Sequence, residues 1–322
     1  MKAVIVTNAG QNIGGGHLSR CFALSQALEA QGTACSWILN EGASHQAESL
    51  GIKDKIYLGD IFGPEALKSA AGYRFAVVDS YLAPEGFLRD ISKAQKLVMI
   101  DDLYSKSAAT YADAVINYGI GASRGLYGQG RCDYLLGPGY ALLRREFWTL
   151  EPEERDYVLF APGAADVADT APGMARWWGA DRPALVIALG PFVSAPRLEA
   201  VREISLGRGN IEIRHDAGDF PLLLSRARLV ICTASVTAYE ALAMEKRAAV
   251  FSVAPNQGAF GEKLTRMGVA LDLGEWKDIG YHDICSALSY EPDAHSLKGL
   301  VKKDGALLCA RRLLELFGGC SD

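Results

Sequence analysis

Short, uninterrupted apolar runs recur along this chain, each followed by a turn and a helical stretch, and several stop on an aspartate or asparagine. The clearest in the first half are Ala3-Val4-Ile5-Val6-Thr7, Ser36-Trp37-Ile38-Leu39, Phe75-Ala76-Val77-Val78-Asp79, Leu97-Val98-Met99-Ile100-Asp101 and Ala114-Val115-Ile116-Asn117. A run without polar alternation fits a strand buried on both faces, as in a parallel sheet. Between the runs lie helical stretches. One spans about His17 to Gln31, with Leu18, Cys21, Phe22, Ser25 and Leu28 on one face and Gly32 as its stop. Another runs from Pro84 to Ala94. Strand, helix and strand at this spacing predict βαβ units and a doubly wound parallel sheet. In such sheets ligands gather outside the carboxyl ends of the strands. Asn8, Asp79, Asp101 and Asn117 all stand at predicted strand ends.

The chain has 322 residues, which favours two domains over one. A polar stretch holding Glu146, Glu151, Pro152, Glu153, Glu154, Arg155 and Asp156 is the predicted linker. The strand pattern then restarts with Tyr157-Val158-Leu159-Phe160-Ala161. It continues through Ala184 to Leu189, Ile211-Glu212-Ile213, Leu229-Val230-Ile231-Cys232 and Ala249-Val250-Phe251-Ser252-Val253. The expected architecture is α/β, with two Rossmann-like doubly wound domains facing across a cleft. Residues 1–150 form the first. Residues 151–322 form the second, with a last helix over about 305–317.

Composition excludes several classes. With 33 basic and 38 acidic side chains the net charge is −5, and a general nucleic-acid binder would show a basic face. No apolar run approaches the roughly 18 residues that cross a bilayer. The opening Met1–Thr7 run is too short for a signal peptide, so a cytoplasmic protein is expected. Seven cysteines at irregular spacing, with no CxxC pair, predict neither a disulfide framework nor a zinc site. They read as small buried hydrophobes. His45, His282 and His295 have no polar companions at ligand spacing. Asp101 and Asp102 are adjacent, so on an extended chain they point to opposite sides and make a poor metal pair. No metal and no cofactor are expected.

Three segments carry candidate chemistry. In Ile13-Gly14-Gly15-Gly16-His17 the glycines allow a sharp turn, and the helix that follows offers unpaired N–H groups to an anion. His17 at that helix start is placed as a general base; the plain alternative is a tight turn with a histidine cap. In Thr233-Ala234-Ser235-Val236-Thr237-Ala238-Tyr239-Glu240 a strand end passes directly into a helix. Ser235 and Thr237 bring hydroxyls to a phosphate-sized site, and Glu240 can accept hydrogen bonds from ribose hydroxyls. The plain alternative is a Ser-capped helix with a surface glutamate. In Ala254-Pro255-Asn256-Gln257-Gly258, Asn256 and Gln257 could bind a phosphate or sugar hydroxyl, against ordinary turn chemistry. Pro162-Gly163-Ala164-Ala165-Asp166 is a weaker fourth, and His215 follows a strand where it could touch a base.

The order of these motifs resembles one family. Gly14-Gly15-Gly16-His17-Leu18-Ser19-Arg20, Val77-Val78-Asp79-Ser80-Tyr81, Ile100-Asp101-Asp102, Asp113–Asn117 and Leu136–Phe147 appear in the order seen in UDP-2,4-diacetamido-2,4,6-trideoxy-β-L-altropyranose hydrolases of the pseudaminic acid pathway. The helix bearing Ser235 and Glu240, then Asn256-Gln257, completes the series over residues 1–270. The resemblance implies a GT-B fold, related to MurG-type glycosyltransferases. It implies a UDP-sugar partner and hydrolysis to free sugar and UDP with inversion, within nonulosonic acid biosynthesis. His17 would activate water. Asn8, Gly14, Gly15, Gly16, Asp79, Tyr81, Asn117 and Tyr140 would line the sugar side. Gly163, His215, Ser235, Val236, Thr237, Glu240, Asn256 and Gln257 would hold UDP. The chain departs from the family at Thr7 and Asn8, where an arginine and an aspartate are usual, at Ser80, where a histidine is usual, and in the 162–166 turn.

The alternative is a GT-B glycosyltransferase that hands its sugar to a specific acceptor. A third reading is a sugar-nucleotide binding protein without turnover.

Overall fold

Strand β1 (Lys2–Thr7) is buried from its second residue on and pairs in parallel with neighbours on both sides. The structure, a computed structural model, describes residues 1–10, 13–128, 130 and 132–318, the side chain of Asn256 excepted. Around β1 stand β2 (Ala34–Leu39), β3 (Lys55–Tyr57), β4 (Phe75–Asp79), β5 (Lys96–Ile100), β6 (Ala114–Asn117) and β7 (Asp133–Leu136). All pair in parallel in the order β3-β2-β1-β4-β5-β6-β7. The helices between them are α1 (Gly16–Ala30), α2 (Ser44–Ser49), α3 (Pro64–Ser69), α4 (Glu85–Ala94) and α5 (Lys106–Tyr111), and α6 (Arg145–Trp148) follows β7. Val4, Val6, Ala76, Val78, Leu97 and Met99 pack with Phe87, Leu88 and Ile91 of α4 on one side of the sheet. The edge strands β3 and β7 escape sequence reading because they are short, partly exposed and carry polar residues.

Helix α1 differs from the expectation of a single apolar face. His17, Leu18, Arg20, Cys21, Ala23, Leu24, Ser25, Gln26, Ala27 and Leu28 are all buried, so it is enclosed nearly all round. Its polar side chains are accommodated by partners. Gln26 Oε1 accepts from the Arg145 backbone N–H at 2.8 Å, and Gln31, just past its end, donates to the Leu307 carbonyl at 3.1 Å.

A second parallel sheet repeats the plan. It holds β8 (Arg155–Ala161), β9 (Ala184–Leu189), β10 (Ile211–His215), β11 (Ala227–Thr233), β12 (Arg247–Ser252) and β13 (Leu271–Glu275), in the order β10-β9-β8-β11-β12-β13. Its helices are α7 (Thr170–Trp177), α8 (Ala195–Ser205), α9 (Phe220–Arg226), α10 (Val236–Ala243), α11 (Pro255–Arg266), α12 (Tyr281–Ser289) and α13 (Ala294–Leu297). Its core joins Val158, Phe160, Leu185, Ile187, Ile231 and Phe251 to Met174 and Trp178.

The chain divides into two bodies. One comprises Met1–Ala9, His17–Trp148 and Val301–Asp322, the other Gly10–Gly16 and Thr149–Leu300. The last helix, α14 (Gly305–Phe317), therefore corrects the expectation that it belongs to the second domain. Its contacts explain why. Cys309 Sγ donates to the Tyr140 carbonyl at 3.5 Å, Arg74 Nε donates to the Phe317 carbonyl at 2.6 Å, and the Phe317 ring lies 5.5 Å from Phe75. A Cβ on Gly305 would stand 2.5 Å from the Ala141 carbonyl oxygen, so the helix start is pressed against that backbone. Periodicity marks a helix; it does not say which sheet the helix returns to.

Each sheet reverses its direction of growth once, between β1 and β4 in the first and between β8 and β11 in the second. At such a switch point the connections leave toward opposite faces, opening a crevice at the carboxyl ends.

Candidate active site

At the first switch point β1 and β4 end together, with Thr7 opposite Asp79. Thr7 Oγ1 donates to the Asp79 carbonyl at 2.9 Å, fixing the two strand ends. The Asp79 side chain is 0% exposed, and its carboxylate gathers donors from α1. Arg20 Nε donates to Oδ2 and Arg20 Nη2 to Oδ1, both at 2.6 Å. His17 Nδ1 lies 2.8 Å from Oδ1, and Cys21 Sγ donates to Oδ2 at 3.5 Å. Positions 17, 20 and 21 share one helix face by their spacing of three and four. Burial alone would raise the Asp79 carboxyl; the Arg20 guanidinium and His17 outweigh it and hold the group well below the usual carboxylate range. Burial likewise opposes charge on Arg20, and Asp79 overrides it. The Cys21 thiol is pushed up, first by burial and then by Asp79, so it stays protonated.

The network continues outward. Arg20 Nη1 donates to Asp102 Oδ2 at 2.9 Å, and the Tyr81 hydroxyl donates to the same oxygen at 3.0 Å. The Tyr81 ring packs edge-on against His17 with centroids 4.5 Å apart. Asp101 faces elsewhere: its Oδ2 accepts from the Ser105 backbone N–H at 3.0 Å. Adjacent aspartates thus do part, yet Asp102, set aside with its neighbour in the sequence reading, belongs to the cluster. Arg20, Cys21 and Asp102 are the members that sequence reasoning passed over. The spacing of His17 and Arg20 on one helix was the available signal. Among the described residues no three His, Cys, Asp or Glu side chains converge as metal ligands.

Other predicted sugar-side residues are placed less uniformly. Asn8 is buried beside Thr7, and its Oδ1 has no hydrogen-bond partner among the described residues. Gly10 and Gly14 pair, Gly14 N–H donating to the Gly10 carbonyl at 2.7 Å, with Gly14 at φ +79° where other residues are strained. Gly15 and Gly16 lead into α1, of which Gly16 is the first residue. Asn117 serves the framework: Nδ2 donates to the Tyr127 hydroxyl and Oδ1 accepts from the Gly119 N–H, each at 2.9 Å. Tyr140 follows β7, the outer strand, with β4, β5 and β6 between it and β1.

The second switch point carries Gly163 after β8 and Thr233 at the end of β11. Gly163 sits at φ +94°, and a Cβ there would stand 3.7 Å from Thr233 Oγ1. Ser235 is the residue before α10, but its hydroxyl does not cap the helix; Ser235 Oγ and Thr233 Oγ1 share a hydrogen bond of 2.9 Å. Val236 and Thr237 open the helix. Glu240 is only 5% exposed, so it is not a surface glutamate. The plain alternative for this segment, a Ser-capped helix with a surface glutamate, therefore fails on geometry. Ser252, at the end of neighbouring β12, is buried, and its Oγ has no partner among the described residues. Asp166 holds the start of α7, accepting from the Thr170 N–H at 2.8 Å and the Ala171 N–H at 3.0 Å. Gln257 stands on the first turn of α11, where its Oε1 accepts from the Val253 N–H at 2.9 Å. The side chain of Asn256 lies outside the described residues, as does Cys320. His215 is exposed at the end of β10, the outermost strand, with β9 and β8 between it and β11.

Two parallel sheets, each with its own switch point, define the GT-B architecture, and solved structures share it along nearly the whole chain. The glycotransferase of kitacinnamycin matches with TM-score 0.67 and 12% identity, over 98% of this chain and 99% of that one. MurG from Acinetobacter baumannii matches with TM-score 0.61 and 14% identity, over 99% and 100%. The spinosyn rhamnosyltransferase SpnG, complexed with thymidine diphosphate, matches with TM-score 0.59 and 14% identity, over 99% and 96%. No protein-family model matches the chain, and no curated protein does. These findings correct the hydrolase expectation and its place in pseudaminic acid biosynthesis. The structures matched end to end are glycosyltransferases, which favours the transferase alternative. The order of short glycine- and aspartate-bearing loops follows the shared architecture and did not discriminate water from another acceptor. Among the described residues no helix is long and apolar enough to cross a membrane.

Proposed function

We propose that this chain is a glycosyltransferase that moves a sugar from a nucleoside diphosphate sugar to an acceptor hydroxyl by direct displacement. The observation that carries this reading is the buried His17–Asp79 pair at 2.8 Å, with the carboxylate further fixed by Arg20. An ionised carboxylate at Nδ1 selects the tautomer with the proton on that nitrogen. The opposite tautomer would set a lone pair against the carboxylate. The Arg20 Nη2 contact to Nδ1 at 3.0 Å then reflects two donors converging on one oxygen. The lone pair of Nε2 is left to take a proton. As the acceptor oxygen bonds to the anomeric carbon, its proton passes to Nε2. The carbon–oxygen bond to the diphosphate breaks, and its electron pair leaves with the nucleotide. One displacement inverts the anomeric centre. A positioned base of this kind contributes roughly 10²–10⁴-fold.

The leaving diphosphate is assigned to the second switch point. The first N–H groups of α10, at Val236 and Thr237, have no partner within the helix by its geometry, and the helix dipole favours an anion there. Gly163 permits close approach, and the hydroxyls of Ser235 and Ser252 lie at adjacent strand ends. Glu240 takes the ribose hydroxyls. SpnG, solved with thymidine diphosphate, supports a uridine or thymidine diphosphate donor.

The test is turnover of UDP- and TDP-sugars with an acceptor panel, followed by mass spectrometry. Glycosylated acceptor in step with released nucleoside diphosphate is expected, lost in His17→Ala with nucleotide affinity retained. Free sugar without glycoside, or tight nucleotide binding with no turnover across the panel, counts against the proposal.

A further inference from the structure

Each sheet ends in two outer strands, β3 and β7 in the first, β10 and β13 in the second. An outer strand turns a row of backbone N–H and C=O groups outward, and such a row invites a further strand. Three of these edges are blunted. β3 is only three residues long. β7 has four, and Arg312 of α14 donates to its Asp133 at 3.4 Å. β13 breaks its register with β12 between Val250 and Ser252, and Gly274 at φ +83° bends it. β10 differs: its five residues, Ile211–His215, run in unbroken register with β9.

Backbone parity decides which groups of β10 face outward. The Leu185 N–H donates to the Asn210 carbonyl at 2.8 Å, and the Asp216 N–H to the Leu189 carbonyl at 2.9 Å. Along a strand, alternate residues turn their backbone groups to the same neighbour. Glu212 and Arg214 therefore face β9, as Asn210 and Asp216 do. Ile213 and His215 turn their N–H and C=O groups to the open edge. Side chains alternate as well. Ile211 and Ile213 pack against the core, which sends Glu212 and Arg214 to the opposite face. These two side chains are 60% and 36% exposed, and Arg214 Nη1 reaches Glu212 Oε1 at 3.3 Å.

We propose that β10 is a self-association edge, and that its partner is a second copy of this chain, paired antiparallel about a two-fold axis at Ile213. In that register the Ile213 N–H of each copy donates to the partner's Ile213 carbonyl, and each His215 N–H to the partner's Ile211 carbonyl. The Ile211 N–H stays out, being already given to the Arg208 carbonyl at 3.3 Å. Between the bonded positions Glu212 stands opposite the partner's Arg214, and Arg214 opposite the partner's Glu212. Residues so opposed lie about 4.5 Å apart at Cα, and opposite charges there attract. Asp219 holds Arg214 Nη2 at 2.8 and 2.9 Å, which leaves Nη1 to be shared between the two glutamates. A row of lysines would repel any added strand. One acidic and one basic residue on either side of Ile213 instead favour a second copy in this register alone. The contact uses neither His17 nor α10, so it stands apart from the transfer chemistry.

Sedimentation equilibrium on the full chain over a range of concentrations tests the proposal, and a reversible dimer is expected. Glu212→Arg and Arg214→Glu should each raise its dissociation constant about tenfold or more, because the two-fold sets like charges face to face twice. Mixing these two variants should restore a dimer with one copy of each, since each then offers the sign that the other lacks. His215→Pro removes an outward donor that β9 does not use, and should weaken the dimer as well. Glu315→Arg makes the same charge change on α14 and should leave it unaltered. Circular dichroism checks that each variant is folded. A monomer at every concentration, a dimer indifferent to Glu212→Arg and His215→Pro, or a mixture of folded variants that stays monomeric overturns the proposal.

Discussion

Arg20 holds the Asp79 carboxylate by two hydrogen bonds of 2.6 Å, one to each oxygen, and so fixes its plane and its charge. What remains of Oδ1 is offered to His17 in a single direction. The pair is therefore both a structural clamp and the orienter of the proposed base, and the two roles can be separated by experiment.

His17→Ala should lower the turnover number about 10²–10⁴-fold, the usual contribution of a positioned base. Nucleotide affinity, measured by calorimetry, should be unchanged, because the proposed nucleotide residues lie on the other sheet. Equal loss of nucleotide binding would contradict the division of roles.

Asp79 should make acid stability asymmetric. Its folded value is depressed, while in the unfolded chain it titrates near the ordinary value of about 3.9. Below that pH the unfolded state binds the extra proton. The stability Asp79 contributes is thus present above about pH 4 and is lost as pH falls toward its folded value. Melting temperature against pH should fall more steeply below pH ~4 in the wild type than in Asp79→Asn.

Removing one partner of the clamp should cost more than removing both. Asp79→Leu leaves the buried Arg20 with Asp102 as its remaining carboxylate partner and two of its donors without theirs, which costs up to about 3–5 kcal/mol. Adding Arg20→Met should recover more than half of that in urea unfolding, since contacting residues are non-additive. Additive losses would show that the two side chains act separately.

Ser235→Ala tests whether this serine serves the helix or a ligand. A capping serine loses about 1 kcal/mol on this change. Ser235 does not cap α10 and its hydroxyl bonds Thr233 instead, so hydrogen exchange in the first turn of α10 should be unchanged while the dissociation constant for UDP or TDP rises. A full capping loss with unaltered nucleotide affinity would reverse the assignment.

Gly305→Ala probes the return of the last helix. The new methyl would meet the Ala141 backbone at 2.5–2.6 Å, and backbone yields less than side chains. Overpacking of this kind costs about 1–3 kcal/mol. The loss should appear as faster hydrogen exchange in α14 and in the 138–142 segment, with the second sheet unaffected.

Much of the architecture was legible in the sequence because strands buried on both faces need unbroken apolar runs. Phe75–Asp79, Ala114–Asn117 and Ala184–Leu189 coincide with the structure residue for residue. Asp79 and His17 could be placed at a strand end and a helix start for the same reason, since local pattern dictates both. The edge strands β3 and β7 were invisible because a partly exposed edge needs no such run. The fate of α14 was invisible because its helical pattern is the same whichever sheet it packs on. So was the partnership of Arg20, Asp79 and Asp102, residues 59 and 82 positions apart along the chain, which only the closing of strands β1, β4 and β5 side by side brings within hydrogen-bond reach. Local burial and backbone geometry wrote the elements. The choice of partners, and with it the charge held beside His17, was made by long-range packing.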